Sequence, residues 1–281
     1  MGLYLRPASL DAALALLAER PRTVLAGGTD HFPARVLHSP DEEILDISAL
    51  PGLRQIVRRD DHWFLPCLAT WSDLSTAGLP GAFDGLKAAA RMIGGPQVQN
   101  VATVLGNVCN ASPAADGMPC LLALDASVEL ASLRGHRVVP LAEFVTGPRQ
   151  TTRRADELAI GLRIPCPCPA ARGVFLKLGT RSYLVISIVM VAGVVECGDD
   201  GRIARAAFAV GACSPVARRL PALEAAVTGE HPAAALVRPA HLTPLAPIDD
   251  VRATAVYRRE AALELLRRSL AALRQPESLA A

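Results

Sequence analysis

The sequence is poor in lysine, in aromatic rings and in long apolar runs, and each shortage excludes something. Of 29 basic residues only Lys87 and Lys177 are lysine, and 27 acidic residues leave a formal net charge of +2. So balanced a charge is no footprint for a nucleic-acid backbone. Six Phe, three Tyr and two Trp in 281 residues are too few for a base-stacking platform. The longest apolar run, 184–195, spans 12 residues and is broken by Ser187 and Gly193. A membrane span needs about 18 or more, so a buried strand is expected there. The opening residues Met1-Gly2-Leu3-Tyr4-Leu5-Arg6-Pro7 show no charged segment ahead of an apolar one. No secretory signal is expected, and the cytoplasm is.

The familiar site signatures are missing too. There is no GxGxxG, no P-loop, no HExxH and no GxSxG, which removes the usual nucleotide, zinc-protease and serine-hydrolase readings. The histidines at 31, 38, 62, 136, 231 and 241 are never paired at ligand spacing. The seven cysteines are Cys67, Cys109, Cys120, Cys166, Cys168, Cys197 and Cys213. An odd number in a cytosolic chain argues against a disulfide framework. Cys166-Pro167-Cys168 lacks the second pair of a zinc site and the run of an iron–sulfur site, so free thiols are expected.

What is present is a chain of about two domains, 51% hydrophobic, alternating short strands and helices. Helices are expected at 9–20 with Ser9 as N-cap, at 83–93, at 220–227 and at 257–273. In the last, Leu263, Leu266, Leu270 and Leu273 fall on one stripe. Strands are expected at 23–26, 44–47, 127–130, 137–139, 157–164, 175–178, 185–195 and 203–210, and a hairpin at 55–65 around Asp60-Asp61. Three prolines within 165–169 mark a domain boundary.

Two segments offer chemistry. In Leu25-Ala26-Gly27-Gly28-Thr29-Asp30 a strand runs into two glycines. A tight turn there lets successive N–H groups bind a diphosphate, and Thr29 adds a hydroxyl donor. The stretch 97–119 is rich in Gly, Asn, Ser, Thr, Pro and Ala, with little periodicity. It is expected to be a long loop over a ligand. Within it Thr103, Asn107 and Ser112 can donate to phosphate oxygens, and Asp116 can accept from ribose hydroxyls.

Ala26-Gly27-Gly28-Thr29-Asp30, then Ile93-Gly94 with Gln97-Val98, then Thr103-Val104-Leu105-Gly106-Asn107 and Ser112-Pro113-Ala114-Ala115-Asp116 form one series. It resembles the FAD-binding, or medium, subunit of molybdenum hydroxylases of the xanthine dehydrogenase and aerobic carbon monoxide dehydrogenase type. Phe175-Leu176-Lys177 with Arg181, and Pro247-Ile248-Asp249-Asp250-Val251-Arg252 with Tyr257-Arg258, resemble parts of that family's C-terminal domain.

The resemblance implies an α+β fold. Residues 1–167 would form a two-lobed FAD-binding domain of the vanillyl-alcohol-oxidase/PCMH type, with lobes at about 1–53 and 54–167. Residues 168–281 would form a small C-terminal domain with a three-stranded antiparallel sheet and helices. It also implies that Leu25, Ala26, Gly27, Gly28, Thr29 and Asp30, with Thr103, Leu105, Gly106, Asn107 and Ser112, hold the FAD pyrophosphate. Asp116 would face the ribose and adenine, with Ile160, Lys177 and Tyr183 near the isoalloxazine. No residue would act as acid or base on an organic substrate. A small subunit with [2Fe–2S] clusters and a large subunit with the molybdenum cofactor would be partners, in a heterotrimer or a dimer of heterotrimers. Electrons would pass from the clusters through FAD to an external acceptor.

Three positions depart from the family pattern. Leu105 stands where glycine is common, Gln99-Asn100-Val101 replaces a basic triplet, and 184–187 lacks the acidic residue of the xanthine dehydrogenase branch. If position 105 needs positive φ or a close approach to the cofactor, leucine there is costly. A flavin-free structural subunit is the reading that Leu105 keeps open. A stand-alone FAD oxidoreductase would need a histidine or tyrosine base near the flavin, and none stands out.

Overall fold

The computed structural model describes residues 2–35 and 41–273; His38 lies outside them. The chain begins with β1 (Tyr4–Leu5), α1 (Leu10–Glu19), β2 (Thr23–Leu25), β3 (Ile44–Asp46), β4 (Val57–Arg58) and β5 (His62–Pro66). Five helices follow: α2 (Trp71–Thr76), α3 (Asp84–Met92), α4 (Pro96–Gln99), α5 (Val104–Asn110) and α6 (Gly117–Ala123). Then come β6 (Ser127–Ser132), β7 (Gly135–Pro140), α7 (Leu141–Phe144), β8 (Val145–Gly147), β9 (Gln150–Thr151) and β10 (Leu158–Pro165). The last are β11 (Arg172–Leu178), β12 (Val189–Cys197), β13 (Ile203–Gly211), β14 (Arg218–Arg219), α8 (Pro221–Val227) and α9 (Ala255–Ala272). Among the described residues no helix is long and apolar enough to cross a membrane.

The chain forms two compact units. The first gathers Met1–Ala77, Ile93–Ser112 and Asp125–Cys166; the second gathers Gly78–Met92, Pro113–Leu124 and Pro167–Ala281. The proline-rich stretch after β10 is therefore one of several places where the chain passes from one to the other.

In the first unit, β1, β3 and β2 pair in parallel in that order. Ser9 caps α1 by accepting the Ala12 N–H, and Ala13, Leu14 and Leu17 turn inward. A second, antiparallel sheet runs β4-β5-β10-β6-β7. Its central strand β10 is buried along most of its length, as a strand covered on both faces must be. The expected hairpin around Asp60-Asp61 is β4–β5.

The second unit is built on the antiparallel sheet β11-β12-β13-β14. Three of these strands match the expected sheet, and the two-residue β14 adds a fourth along β13. Val189, Val191, Phe208, Val210, Leu223, Leu266 and Leu270 share its core. On the α9 stripe, Leu266 and Leu270 are fully buried, and Leu263 packs partly buried against the same cluster.

Strand β12 starts at Val189, later than the sequence pattern predicts. The residues before it are occupied otherwise. Arg181 turns back onto the Leu184 carbonyl, and Leu184 is left-handed at φ 51°.

One buried cation organises the end of this unit. Arg258 donates to the Ile188 and Ala212 carbonyls at 2.6 and 3.0 Å and to Asp250 at 2.6 Å. The Arg252 N–H, then the Arg258 guanidinium and the Ala253 N–H, hold the Asp250 carboxyl down at about 2, from an ordinary 3.8. A depressed carboxylate stabilises the fold above its ordinary pKa and loses that contribution as pH falls through the folded value. Asp250→Asn should therefore melt below the unaltered chain at neutral pH. The gap in thermal midpoint, followed by circular dichroism, should close between about pH 4 and pH 2.

Candidate functional site

The glycine loop is shaped by one close approach. Strand β2 ends at buried Leu25, whose carbonyl accepts the Ile47 N–H at 2.9 Å. A Cβ added to Gly27 would lie 2.1 Å from the Val101 carbonyl oxygen. No side chain fits there, so the backbones meet directly. Gly28 is left-handed at φ 69°, a conformation glycine adopts at little cost. The Phe32 and Ala34 N–H groups then bond back to the Gly28 and Asp30 carbonyls. Among the described residues, the N–H groups of Ala26, Gly27, Gly28 and Thr29 find no acceptor. Successive free donors of this kind suit an anion such as a diphosphate.

The stretch 97–119 is not the long loop that its composition suggests. It holds α4, α5 and the start of α6. Thr103 is the N-cap of α5: its hydroxyl oxygen accepts the Gly106 N–H at 3.0 Å, and its carbonyl accepts the Asn107 N–H at 3.1 Å. The Val104 N–H bonds the Ala69 carbonyl at 2.9 Å, fixing the entrance of the helix. Leu105 is helical and 2% exposed. Position 105 has no positive φ, so on the backbone condition its leucine is a core residue and not a strained one. The signal was in the sequence: a capping threonine ahead of Val104, Leu105 and Val108, with the last three buried. Asn107 brings the Oδ1 oxygen into a buried position with no hydrogen-bond partner among the described residues. Buried polar atoms are rarely left so; an unmet acceptor invites a donor group of a ligand.

Ser112 is half-buried just past the left-handed Ala111, φ 49°. Ile160 sits at a bulge in β10, is 5% exposed, and accepts the Cys67 N–H at its carbonyl.

In the second unit, Asp116 and Lys177 come together. The Lys177 ammonium donates to Asp116 at 2.6 Å, and the Ser187 hydroxyl donates to the other carboxylate oxygen. Both side chains are under one-tenth exposed. Burial pushes the Asp116 carboxyl up, against the opposing pull of Lys177 and Ser187. The resemblance assigns Asp116 to the ribose and Lys177 to the isoalloxazine; here they hold one another. Lys177 has three donors, so the pair does not exhaust it. Tyr183 is 72% exposed, in the loop between β11 and β12. Arg149, which no sequence pattern singled out, reaches Asp30 and Asn110.

Free N–H donors, a backbone approach that a Cβ would fill and an orphaned asparagine oxygen fit a ligand with a diphosphate and polar edges. Residues 1–167 match the FAD binding domain in molybdopterin dehydrogenase, and residues 175–273 match the CO dehydrogenase flavoprotein C-terminal domain. The chain belongs to the family of FAD-binding subunits of molybdenum-containing dehydrogenases and hydroxylases, and is an oxidoreductase component. It is similar to the xanthine dehydrogenase FAD-binding subunit of Escherichia coli O157:H7, with 35% identity over 76% of this chain and 75% of the relative. The nicotinate dehydrogenase FAD-subunit of Eubacterium barkeri is 30% identical over 70% of each chain. Among solved structures, a chain of the carbon monoxide dehydrogenase from Hydrogenophaga pseudoflava superposes with a TM-score of 0.89 at 26% identity. That match covers 97% of this chain and 96% of the other.

Two outcomes test this geometry. Gly27→Ala should lose most of its FAD while keeping the far-ultraviolet circular dichroism of the unaltered chain, because the clash is local. Lys177→Met leaves a buried carboxylate uncompensated and should cost about 3–5 kcal/mol in urea unfolding. Adding Asp116→Leu should recover most of that loss.

Proposed function

We propose that this chain carries one non-covalent FAD and serves as the electron-transfer subunit of a cytoplasmic molybdenum hydroxylase. Its partners would be a small subunit with [2Fe–2S] clusters and a large subunit with the molybdenum cofactor, in a heterotrimer or a dimer of them. FAD supplies a carrier that takes electrons singly and releases one or two to an acceptor. The observation that carries this reading is the row of N–H groups from Ala26 to Thr29 that find no acceptor among the described residues. In the site proposed, those groups and the Thr29 hydroxyl bind the phosphates, within residues 1–167 as the FAD-binding domain. Thr103, Asn107 and Ser112 add polar contacts, and Gly106 leaves room for the Thr103 hydroxyl that caps the helix. Leu25 and Leu105 support them from the core, and Ile160 provides an apolar wall. By the family resemblance Lys177, held by Asp116, would supply a cation to the flavin, and Tyr183 would lie beside the ring. The chain's own residues bind and orient; none is assigned a proton to move.

The reading is tested on the natively purified complex. A flavin absorption band, FAD released into the supernatant by acid precipitation, and co-elution with cluster- and molybdenum-bearing chains are expected. FAD remaining attached after acid contradicts the non-covalent site. Rapid bleaching of the flavin when the isolated chain meets a heterocycle or aldehyde contradicts the electron-transfer role.

A further inference from the structure

We infer that Arg149 is a positioning residue for flavin binding, a clamp between the glycine loop and the far end of α5; the inference rests on the FAD reading above. Arg149 lies in the turn between β8 and β9 with φ 60°. That is left-handed backbone, which glycine would adopt with less strain. Its N–H donates to the Ala111 carbonyl at 2.9 Å, and Ala111 is itself left-handed where α5 ends. From there the guanidinium Nη1 donates to Asp30 at 2.7 Å and to both the side chain and the carbonyl of Asn110. One nitrogen thus ties the last residue of the glycine loop to the last residue of α5.

Bulk stability does not account for this arrangement. Arg149 and Asp30 are each 56% exposed, and ion pairs so exposed add little to folding. A strained non-glycine residue that adds little stability points to a local task. The task is visible in the loop's two ends. At one end Gly27 meets the Val101 carbonyl ahead of α5; at the other Asp30 is held to the helix exit through Arg149. With both ends fixed, the free N–H groups between them keep one orientation. Without the clamp the loop must be ordered when FAD binds, and affinity falls.

The test uses the full chain stripped of FAD, with Arg149→Gly, Asp30→Ala and the double variant. FAD affinity is read from flavin fluorescence, and the thermal midpoint is read without FAD. Arg149→Gly relieves the left-handed backbone, so its midpoint should stay level or rise, which a merely structural role would not allow. Each single variant should bind FAD about five- to tenfold more weakly, and the double variant no more weakly than either. Unaltered affinity in Arg149→Gly, with or without a lower midpoint, overturns the inference. So do losses that add in the double variant. Failure of the unaltered chain to bind FAD overturns the flavin reading, and the inference with it.

Discussion

The approach of Gly27 to the Val101 carbonyl is the constraint on which the first unit's site depends. With no Cβ at position 27, two main-chain segments far apart in sequence lie in van der Waals contact. That contact sets the loop leaving β2 against the segment entering α5. It also explains why a strand as short as Thr23–Leu25 can present a defined set of donors. The strand anchors one end through Leu25 and Ile47, and the backbone contact stops the loop from collapsing onto its own carbonyls. Among the described residues, the N–H groups of 26–29 are left without an acceptor.

Charge is used differently in the second unit. Two lysines occur in the chain, and one of them is buried with Asp116 and Ser187. A buried ion pair contributes little net stability, but removing one member is costly. What it contributes is placement: a long, flexible side chain is held in one position with donors to spare. Arg258 and Asp250 do the same for the turn before α9, where the guanidinium also satisfies two carbonyls. At Arg258 the buried cation fixes a segment without regular structure, whereas at Lys177 the carboxylate fixes the cation, on strand β11.

Much of this was legible in the sequence. Ser9 as an N-cap, the Asp60-Asp61 hairpin, the α9 stripe and the strands at 175–178 and 203–210 follow from short-range pattern, and the family was readable from its motifs. What escaped had a physical reason. Residues 97–119 look irregular because their helices are short and rich in small polar residues, so periodicity has no room to show; Thr103 and the buried trio after it carried the only signal. Strand β12 begins late because Arg181 and Leu184 close a turn that hydropathy cannot register. Arg149 was invisible because its role depends on a left-handed backbone and on partners 39 and 119 residues away. The pairing of Asp116 with Lys177 was hidden likewise: composition gives both residues, and only the fold brings them together.

The central claim is that the glycine loop and the α5 segment hold the FAD phosphates. Hydrogen–deuterium exchange with mass spectrometry on the chain, stripped of FAD and then reloaded, tests it most directly. The loop's free N–H groups should exchange quickly in the stripped chain. On loading, peptides covering 26–30 and 103–112 should become protected more than any other stretch of the first unit. Protection confined to other segments, with 26–30 exchanging as fast as before, would contradict the account.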